Sequence, residues 1–262
     1  MTNAAEVAKR ILQDLKTGAP FNGYGTTPAR SVEQAYEIQD IVTSDLIEAG
    51  ELGAVGGWKI AANSAALMER FKLDEPATGR VFSAQCHSDT ASLRADDYIE
   101  FAFEPEIAAL IKTTLDPADA PFTAEVVASA IDGFVAGIEL LDMRKTDMPN
   151  THIPDAIAQN ISNVGAVCGT GGVAPDQLDA STVHTVVTID GDVRHDVTGG
   201  APQDPLAAVT WIANHLAARG LTLAAGQVVL CGTHSPILFK EGAGEIVVEM
   251  SGLGKVTVNL TA

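Results

Sequence analysis

The sequence is poor in cations and contains no long apolar run. Its 262 residues carry 16 lysines and arginines against 34 aspartates and glutamates, a net charge of −18. A nucleic-acid groove needs a cluster of cations, so we expect neither DNA nor RNA as a partner. No apolar stretch reaches the roughly 18 residues that span a bilayer, and the N-terminal segment lacks the continuous apolar core of a secretory signal. We therefore expect no membrane partner.

Cysteines and the signatures of common enzyme classes are also scarce. Cys86, Cys168 and Cys231 are odd in number and form no CxxC pair, which predicts buried, inert thiols in a reducing cytoplasm. The chain has no GxGxxG after a strand, no GxxxxGK followed by Ser or Thr, no HExxH and no GxSxG. These absences disfavour dinucleotide, P-loop, zinc-protease and serine-hydrolase chemistry.

Apolar patterning, by contrast, is present along the whole chain, because 46% of the residues are hydrophobic and only 19% are charged. The first fifth of the chain is predicted to be helical. A helix is expected over roughly residues 3–17, and a second begins at the capping box Ser31–Gln34 and ends at Gly50. A short helix is expected after Asn63. Together these patterns predict a helical N-terminal region.

Strand patterns dominate from Tyr98 onward. A helix that begins after Asp204 and ends at Gly220 interrupts them, and Asp190-Gly191 predicts a tight hairpin. Because helices cluster early and strands late, without regular alternation, the fold class is predicted to be α+β with a mixed, largely antiparallel sheet. The predicted strands are Tyr98–Ile111, Gly133–Leu141, Val164–Cys168, Thr182–Ile189, Val228–Cys231, Glu245–Met250 and Lys255–Leu260.

Two glutamates, Glu104 and Glu106, stand in an otherwise apolar strand pattern. Side chains alternate along a strand, so both project from one face. Side by side in such a segment they repel each other and lose hydration, and a divalent cation would offset both penalties. Oxygen ligands alone favour Mg²⁺ or Mn²⁺. The alternative is a solvated sheet edge, where Pro105 would be tolerated.

Glu139 and Lys59 are equally isolated in apolar segments. A buried Glu139 requires a metal ion or a cation, and Arg144 is one candidate partner. A desolvated Lys59 can have a depressed pKa and act as an acid or base, or it can form a salt bridge or extend to the surface. Further along, the loop Cys231–Pro236 offers backbone amides, two hydroxyls and an imidazole that could hold a substrate carboxylate, or it is an ordinary turn.

The order and spacing of several short segments resemble the 2-keto-4-pentenoate hydratase (2-hydroxypenta-2,4-dienoate hydratase) and 2-oxo-acid decarboxylase branch of the fumarylacetoacetate hydrolase superfamily. The resemblance covers nearly the whole chain. The segments that carry it are Ala35–Gln39, Gly57–Ile60, Asp74–Pro76, Glu104–Glu106, Glu139–Arg144, Asn160–Ser162, Pro205-Leu206, Cys231-Gly232 and Gly252–Val256.

This resemblance implies a β-roll catalytic domain over residues 53–262, an N-terminal helical region over 1–52 packed on it, and a homo-oligomer. It implies Mg²⁺ or Mn²⁺ as cofactor, a small 2-oxo or 2-hydroxydienoic acid as substrate, and addition of water to give a 4-hydroxy-2-oxo acid. The implied metal ligands are Glu104, Glu106 and Glu139, the implied catalytic residue is Lys59, and the implied substrate-binding residues are Ser64, Asn160, Ser162, Gly232 and Thr233.

The sequence also departs from that family. Ala77 and Gln159 stand where the family has aspartates, and 61–64 replaces its Gly-Leu-Thr-Ser loop. Three other functions therefore stay open. The first is decarboxylation of a 2-oxo acid of the 4-oxalocrotonate type. The second is C–C hydrolysis of an acylpyruvate, which the lack of any histidine before His87 disfavours. The third is a non-catalytic ligand-binding paralogue, which Ala77 and Gln159 favour.

Overall fold

The computed structural model describes residues 4–21, 23 and 31–262. None of its helices is long and apolar enough to cross a membrane within these ranges. Its helices are α1 (Ala4–Thr17), α2 (Val32–Ala49), α3 (Ala65–Phe71), α4 (Ala124–Ala130), α5 (Ile153–Ala158) and α6 (Pro205–Ala218). Its strands are β1 (Val55–Ala61), β2 (Ala77–Phe82), β3 (Cys86–Ser88), β4 (Thr90–Arg94), β5 (Phe101–Ile111), β6 (Ile131–Asp142), β7 (Asn163–Cys168), β8 (His184–Ile189), β9 (Asp192–Thr198), β10 (Val228–Thr233), β11 (Leu238–Phe239), β12 (Gly244–Met250) and β13 (Gly254–Thr261).

The strands form two sheets, and most neighbouring strands are antiparallel. The eight-stranded sheet has the order β2-β1-β10-β5-β6-β7-β3, with β11 also paired to β5. The five-stranded sheet has the order β4-β13-β12-β8-β9. The parallel pairs are β1 with β10, β3 with β7, and β4 with β13. This arrangement confirms the predicted α+β class with a mixed, largely antiparallel sheet.

The main core lies between the two sheets and α6. Phe103 and Phe134 are fully buried in the larger sheet, and Val248 and Val258 are buried in the smaller one. The helix α6 covers this core with an apolar face that includes Ile212. Burial of these side chains removes a large apolar area from water, which is the main source of the fold's stability.

Local signals in the sequence are confirmed at several turns and caps. The Ser31 hydroxyl accepts a hydrogen bond from the Gln34 amide at 3.2 Å, and an Asp204 carboxylate oxygen accepts one from the Ala207 amide at 2.8 Å. Asp190 and Gly191 both have positive φ, as the predicted hairpin between β8 and β9 requires.

Some predicted boundaries are wrong for identifiable reasons. The strand expected from Tyr98 begins at Phe101, because the Asp142 carboxylate accepts hydrogen bonds from the Ile99 and Glu100 amides. The strand expected from Thr182 begins at His184, since Thr182 ends a one-turn helix. The strand that begins at Val228 continues beyond Cys231 to Thr233.

The N-terminal helices form a second apolar cluster that also includes α5. Buried Val7 and Ile11 of α1 and Ile38 of α2 pack in one cluster with Ile157 of α5. The side-chain nitrogen of Gln39 in α2 also donates a hydrogen bond to the Ile157 carbonyl at 2.7 Å. The first two helices therefore support α5, which borders the cavity described below.

Candidate metal and active site

Three glutamates converge where the central strands β5 and β6 pair. Glu104 lies directly opposite Glu139, and Glu106 follows two residues later on the same strand. Each offers a carboxylate oxygen, and these oxygens lie within 4.8 Å of one another. The strand β5 is flanked by β6 on one side and β10 on the other. The solvated-edge alternative is therefore wrong, and the two carboxylates share a face as the alternation predicts.

Burial makes this cluster electrostatically unfavourable when only protein groups are considered. Glu106 is 1% exposed and Glu139 is fully buried. Burial, and then repulsion from Glu139, raises the pKa of Glu104 to about 8. Burial and the two neighbouring carboxylates raise the pKa of Glu106 well above its ordinary value, although the Gly232 amide opposes this shift. Such mutual destabilisation is what a bound cation relieves.

Lys59 supplies one compensating charge. Its Nζ atom lies 3.0 Å from Oε1 of Glu139, and the side chain is 3% exposed. Burial acts to lower the pKa of Lys59, but attraction to Glu139, Glu104 and Glu106 outweighs it, so the pKa is raised. The lysine is thus held as an ammonium ion in a buried salt bridge, rather than with a depressed pKa.

Arg144 is not the partner of Glu139. Its guanidinium donates hydrogen bonds to the Ala19 carbonyl at 3.0 Å and to the Gln159 side-chain oxygen at 3.1 Å. Gln159, which replaces a family aspartate, is therefore engaged in a structural contact. Ala77, at the other such position, is buried in the cluster of the N-terminal helices.

The donor set fits a divalent cation. When all three carboxylates are ionised, the single ammonium leaves two negative charges uncompensated. Glu139 Oε1 also accepts a hydrogen bond from the Asn163 amide group at 2.9 Å, whereas its buried Oε2 has no hydrogen-bond partner among the described residues. An all-oxygen site with a free buried carboxylate oxygen suits Mg²⁺ or Mn²⁺.

Gly232 orients one of these carboxylates. Its backbone amide donates a hydrogen bond of 2.5 Å to Glu106 Oε2. Its φ is +111°, and an added Cβ would lie 2.6 Å from the Asn63 side-chain nitrogen. Only glycine fits this position, because both the backbone conformation and the space exclude a side chain.

A cavity of about 180 Å³ opens beside the carboxylates. Its polar lining includes Lys59, Glu104 and Glu106 together with Ser162 and Thr233. Two of the predicted substrate-binding residues, Ser162 and Thr233, therefore share a cavity with the predicted catalytic lysine. The remaining lining is largely apolar.

The other predicted substrate-binding residues lie outside that lining. Ser64 caps α3, where its hydroxyl accepts a hydrogen bond from the Leu67 amide at 3.3 Å. Asn160 exchanges two hydrogen bonds with the Arg80 backbone, at 2.6 and 2.8 Å. Gly232 contacts Glu106 instead.

Asn63 lines the cavity but is absent from the predicted site. It is buried, and its side-chain nitrogen donates a hydrogen bond to the Cys231 carbonyl at 3.2 Å. The preceding Ala62 has a φ of +54°, which turns the chain out of β1. The sequence did contain a signal for Asn63. It is a polar residue just after the strand that carries Lys59, in a loop that departs from the family pattern.

Comparisons with known proteins identify the family of this chain. The family model described as fumarylacetoacetate (FAA) hydrolase C-terminal matches residues 58–261. A 2-keto-4-pentenoate hydratase of Burkholderia vietnamiensis is 30% identical over 98% of this chain and 97% of its own. A 2-oxo-hept-4-ene-1,7-dioate hydratase of Escherichia coli is 28% identical over 82% of each chain.

Among solved structures, 4-oxalocrotonate decarboxylase from Pseudomonas putida G7, complexed with magnesium and adipate, superposes with a TM-score of 0.86. It is 23% identical, and the match covers 98% of this chain and 97% of that one. This likeness confirms the expected fold. With the family model covering more than three quarters of the sequence and a relative at 30% identity over nearly its full length, the chain belongs to the fumarylacetoacetate hydrolase family.

Proposed function

We propose that this protein is a divalent-metal-dependent hydro-lyase that adds water to a 2-hydroxy-2,4-dienoate and yields a 4-hydroxy-2-oxo acid. The observation that carries the proposal is the buried Glu104, Glu106 and Glu139 cluster with Lys59 at the end of a cavity. The relatives named as hydratases, at 28–30% identity over most of their lengths, support the same reaction.

Glu104, Glu106 and Glu139 would hold the metal ion, with Mg²⁺ or Mn²⁺ as the candidates. The orphaned Oε2 of Glu139 gives one unused ligand atom. When bound, the ion supplies Lewis-acid stabilisation of the negative charge that develops on the substrate's C2 oxygen. It also reverses the local potential of a protein whose net charge is −18, which permits an anionic substrate to bind.

The chain's own groups hold and orient the reactants. Lys59 keeps a proton on Nζ beside Glu139 Oε1 and can donate it to the substrate during the proton transfers of hydration. The Gly232 amide holds the Glu106 carboxylate in place. Asn63 and Ser162 line the cavity and offer hydrogen-bonding groups to substrate oxygens, whereas the Thr233 hydroxyl donates its hydrogen bond to the Ser235 carbonyl at 2.9 Å.

Decarboxylation of a 2-oxo acid is the second candidate. Its support is the fold match to 4-oxalocrotonate decarboxylase, and the same charge stabilisation at C2 would serve loss of CO₂. Acylpyruvate hydrolysis has weaker support, because no histidine occurs among the described residues that line the cavity. A non-catalytic role, which Ala77 and Gln159 favour, has against it the relatives named as hydratases.

An absorbance assay distinguishes these functions. A 2-hydroxydienoate incubated with the protein and Mg²⁺ should lose its ultraviolet absorbance without CO₂ release. A decarboxylase would release CO₂ from its own 2-oxo acid. A binder would do neither, but would be stabilised thermally by oxalate, which mimics the chelating end of the substrate.

Replacement of a metal ligand makes the test specific to the site. Glu106→Gln should abolish the Mg²⁺-dependent reaction while circular dichroism shows an intact fold. Glu249→Gln, at an exposed glutamate on β12, is the matched control and should retain full activity. Full activity of Glu106→Gln in the presence of a chelator would reject the proposal.

We also propose that the protein is a cytoplasmic homo-oligomer with an N-terminal helical region (1–52) packed on a catalytic domain (53–262). The three cysteines are free thiols, and burial raises the pKa of Cys86 to about 11, which keeps it unreactive. The apolar cluster that α1 and α2 form with α5 supports the packing of the N-terminal helices on the rest of the chain. Light scattering on the purified protein tests the oligomeric state.

A further inference from the structure

Beyond its charged end, the cavity presents an apolar surface. Leu141 follows Glu139 by two residues on the same strand and packs with Met143 and Ile237 in a small buried cluster that also includes Ala102. Ala102 precedes Glu104 by two residues in the same way. The apolar wall, as we call it, consists of Leu67, Phe71, Leu141, Met143, Ile153 and Ile237. A substrate whose acidic head lies at the carboxylates therefore extends its tail along this wall.

The hydroxyl groups near the wall are already engaged. Thr146 Oγ1 donates a hydrogen bond to the Met143 carbonyl, and Thr151 Oγ1 donates one to the Asp147 carbonyl at 3.0 Å. Both donors are satisfied by their own segment. They leave little hydrogen-bonding capacity for a second acidic group on the substrate.

Arg70 is the one cation besides Lys59 among the described residues that line the cavity. It is exposed on α3, its guanidinium donates a hydrogen bond of 3.4 Å to the Met148 carbonyl, and it lies over the Phe71 ring at 5.2 Å from the centroid. An ion pair between an exposed cation of this kind and an anion is screened by water and contributes little binding free energy.

We infer that this site selects substrates with an uncharged, apolar tail over substrates that carry a second carboxylate at the tail. The inference rests on the proposed function and names its substrate class more closely. A carboxylate on the apolar wall would lose hydration without gaining a buried partner, whereas each methylene of an apolar tail gains burial. Similarity alone does not decide this point, because the relatives include an enzyme named for a dioate.

Binding of saturated 2-oxo acids tests the inference without turnover. In the presence of Mg²⁺, calorimetry should show that 2-oxohexanoate binds more tightly than 2-oxobutyrate, by about fourfold for each added methylene. The matched dicarboxylate, 2-oxoadipate, should bind at least about tenfold more weakly than 2-oxohexanoate. Equal or tighter binding of 2-oxoadipate would overturn the inference and leave the proposed function intact. Absence of Mg²⁺-dependent binding for all three acids would overturn both.

Substitutions on α3 provide a second test, because this helix has no buried residue and tolerates change. Leu67→Arg places a cation on the apolar wall and should shift the preference toward 2-oxoadipate by at least about tenfold. Ala66→Arg adds the same charge on the exposed side of α3 and should shift it by less than about twofold. Equal shifts in the two variants would contradict a role for the wall.

Removal of the Arg70 charge provides a third test. Arg70→Met should leave the affinities for 2-oxohexanoate and 2-oxoadipate within about twofold of their original values. A selective loss of about tenfold in 2-oxoadipate affinity would show that Arg70 binds a second carboxylate, and would overturn the inference.

Discussion

At the scale of single residues, the site is defined by charges that are stable only together. Glu104, Glu106 and Glu139 repel one another in a buried environment, and Lys59 offsets part of that repulsion. The Asn163 amide group and the Gly232 backbone amide each stabilise one carboxylate. Removal of any one charge therefore changes the pKa values of the other groups, so single substitutions are informative.

The first prediction concerns Lys59. Lys59→Met removes the ammonium that faces Glu139, and with it the proposed proton donor. Turnover should fall by about 10²-fold or more, the usual contribution of a positioned acid or base. Steady-state kinetics measure the loss. Lys255→Met, at an exposed lysine on β13, is the control, and a Lys59→Met variant as fast as the wild type would exclude this residue from the mechanism.

The second prediction concerns pH. The pKa of Glu104 is raised by burial from 4.5 to about 8 in the folded protein, so the folded state binds a proton that the unfolded state releases. This contribution to stability is present below the unfolded pKa and is lost as pH rises through the folded pKa. We expect the stabilisation by Mg²⁺, which replaces that proton, to grow between about pH 6 and pH 8.

Thermal unfolding with Mg²⁺ and with a chelator, across that pH range, measures this effect. Glu104→Gln removes the carboxyl group that titrates. In the presence of the chelator, its melting temperature should therefore depend less on pH than that of the wild type. A melting temperature increment from Mg²⁺ that stays constant with pH in the wild type would contradict the assignment of the raised pKa to a metal ligand.

At the scale of secondary-structure elements, short-range chemistry was predictable from the sequence and long-range pairing was not. The caps at Ser31 and Asp204 and the turn at Asp190-Gly191 follow from local residue preferences. The alternation of Glu104 and Glu106 predicted their shared face. That Lys59 of β1 reaches Glu139 of β6 across two intervening strands depends on the sheet order, which no local pattern encodes.

Most of the elements missed from the sequence are short or exposed. The exception is β2, a buried strand of six residues whose apolar pattern is interrupted by Thr78, Gly79 and Arg80. The strand β3 has three residues and β9 exposes most of its side chains, so neither shows a clear apolar alternation. The helices α4 and α5 have seven and six residues, too few for a helical period to be recognised. Ser64, predicted to bind substrate, caps α3, which is the short helix expected after Asn63.

The third prediction tests the loop that follows Cys231. Gly232→Ala forces a side chain against Asn63 at a φ of +111° and disturbs the amide that holds Glu106. We expect an affinity for Mg²⁺ lowered by about tenfold, the range seen when partners of a metal ligand are removed. Calorimetric titration measures this affinity.

Gly226→Ala is the matched control for that substitution. Gly226 also has a positive φ, but an added Cβ would meet nothing within 4 Å. It should lose about 1 kcal/mol of stability from the backbone conformation alone and keep its Mg²⁺ affinity. Equal loss of affinity in both variants would show that the effect is general strain rather than the contact with Glu106.

At the scale of the whole molecule, an acidic protein must bind an acidic substrate. The net charge of −18 opposes the approach of an anion, so attraction has to come from a local source. That positive charge lies at one end of the cavity, where the carboxylates can hold a cation beside Lys59. The remaining surface of the cavity is largely apolar. In the proposed function the charged residues would carry out the reaction, and the apolar wall would select the class of substrate.

The central claim is that Glu104, Glu106 and Glu139 hold a single divalent cation. A crystal grown with Mn²⁺ and measured at the manganese absorption edge tests it most directly. We predict one anomalous peak in each chain, within bonding distance of an oxygen from each of the three glutamates. A peak elsewhere, or an enzyme fully active toward the dienoate while these carboxylates bind no ion, would contradict it.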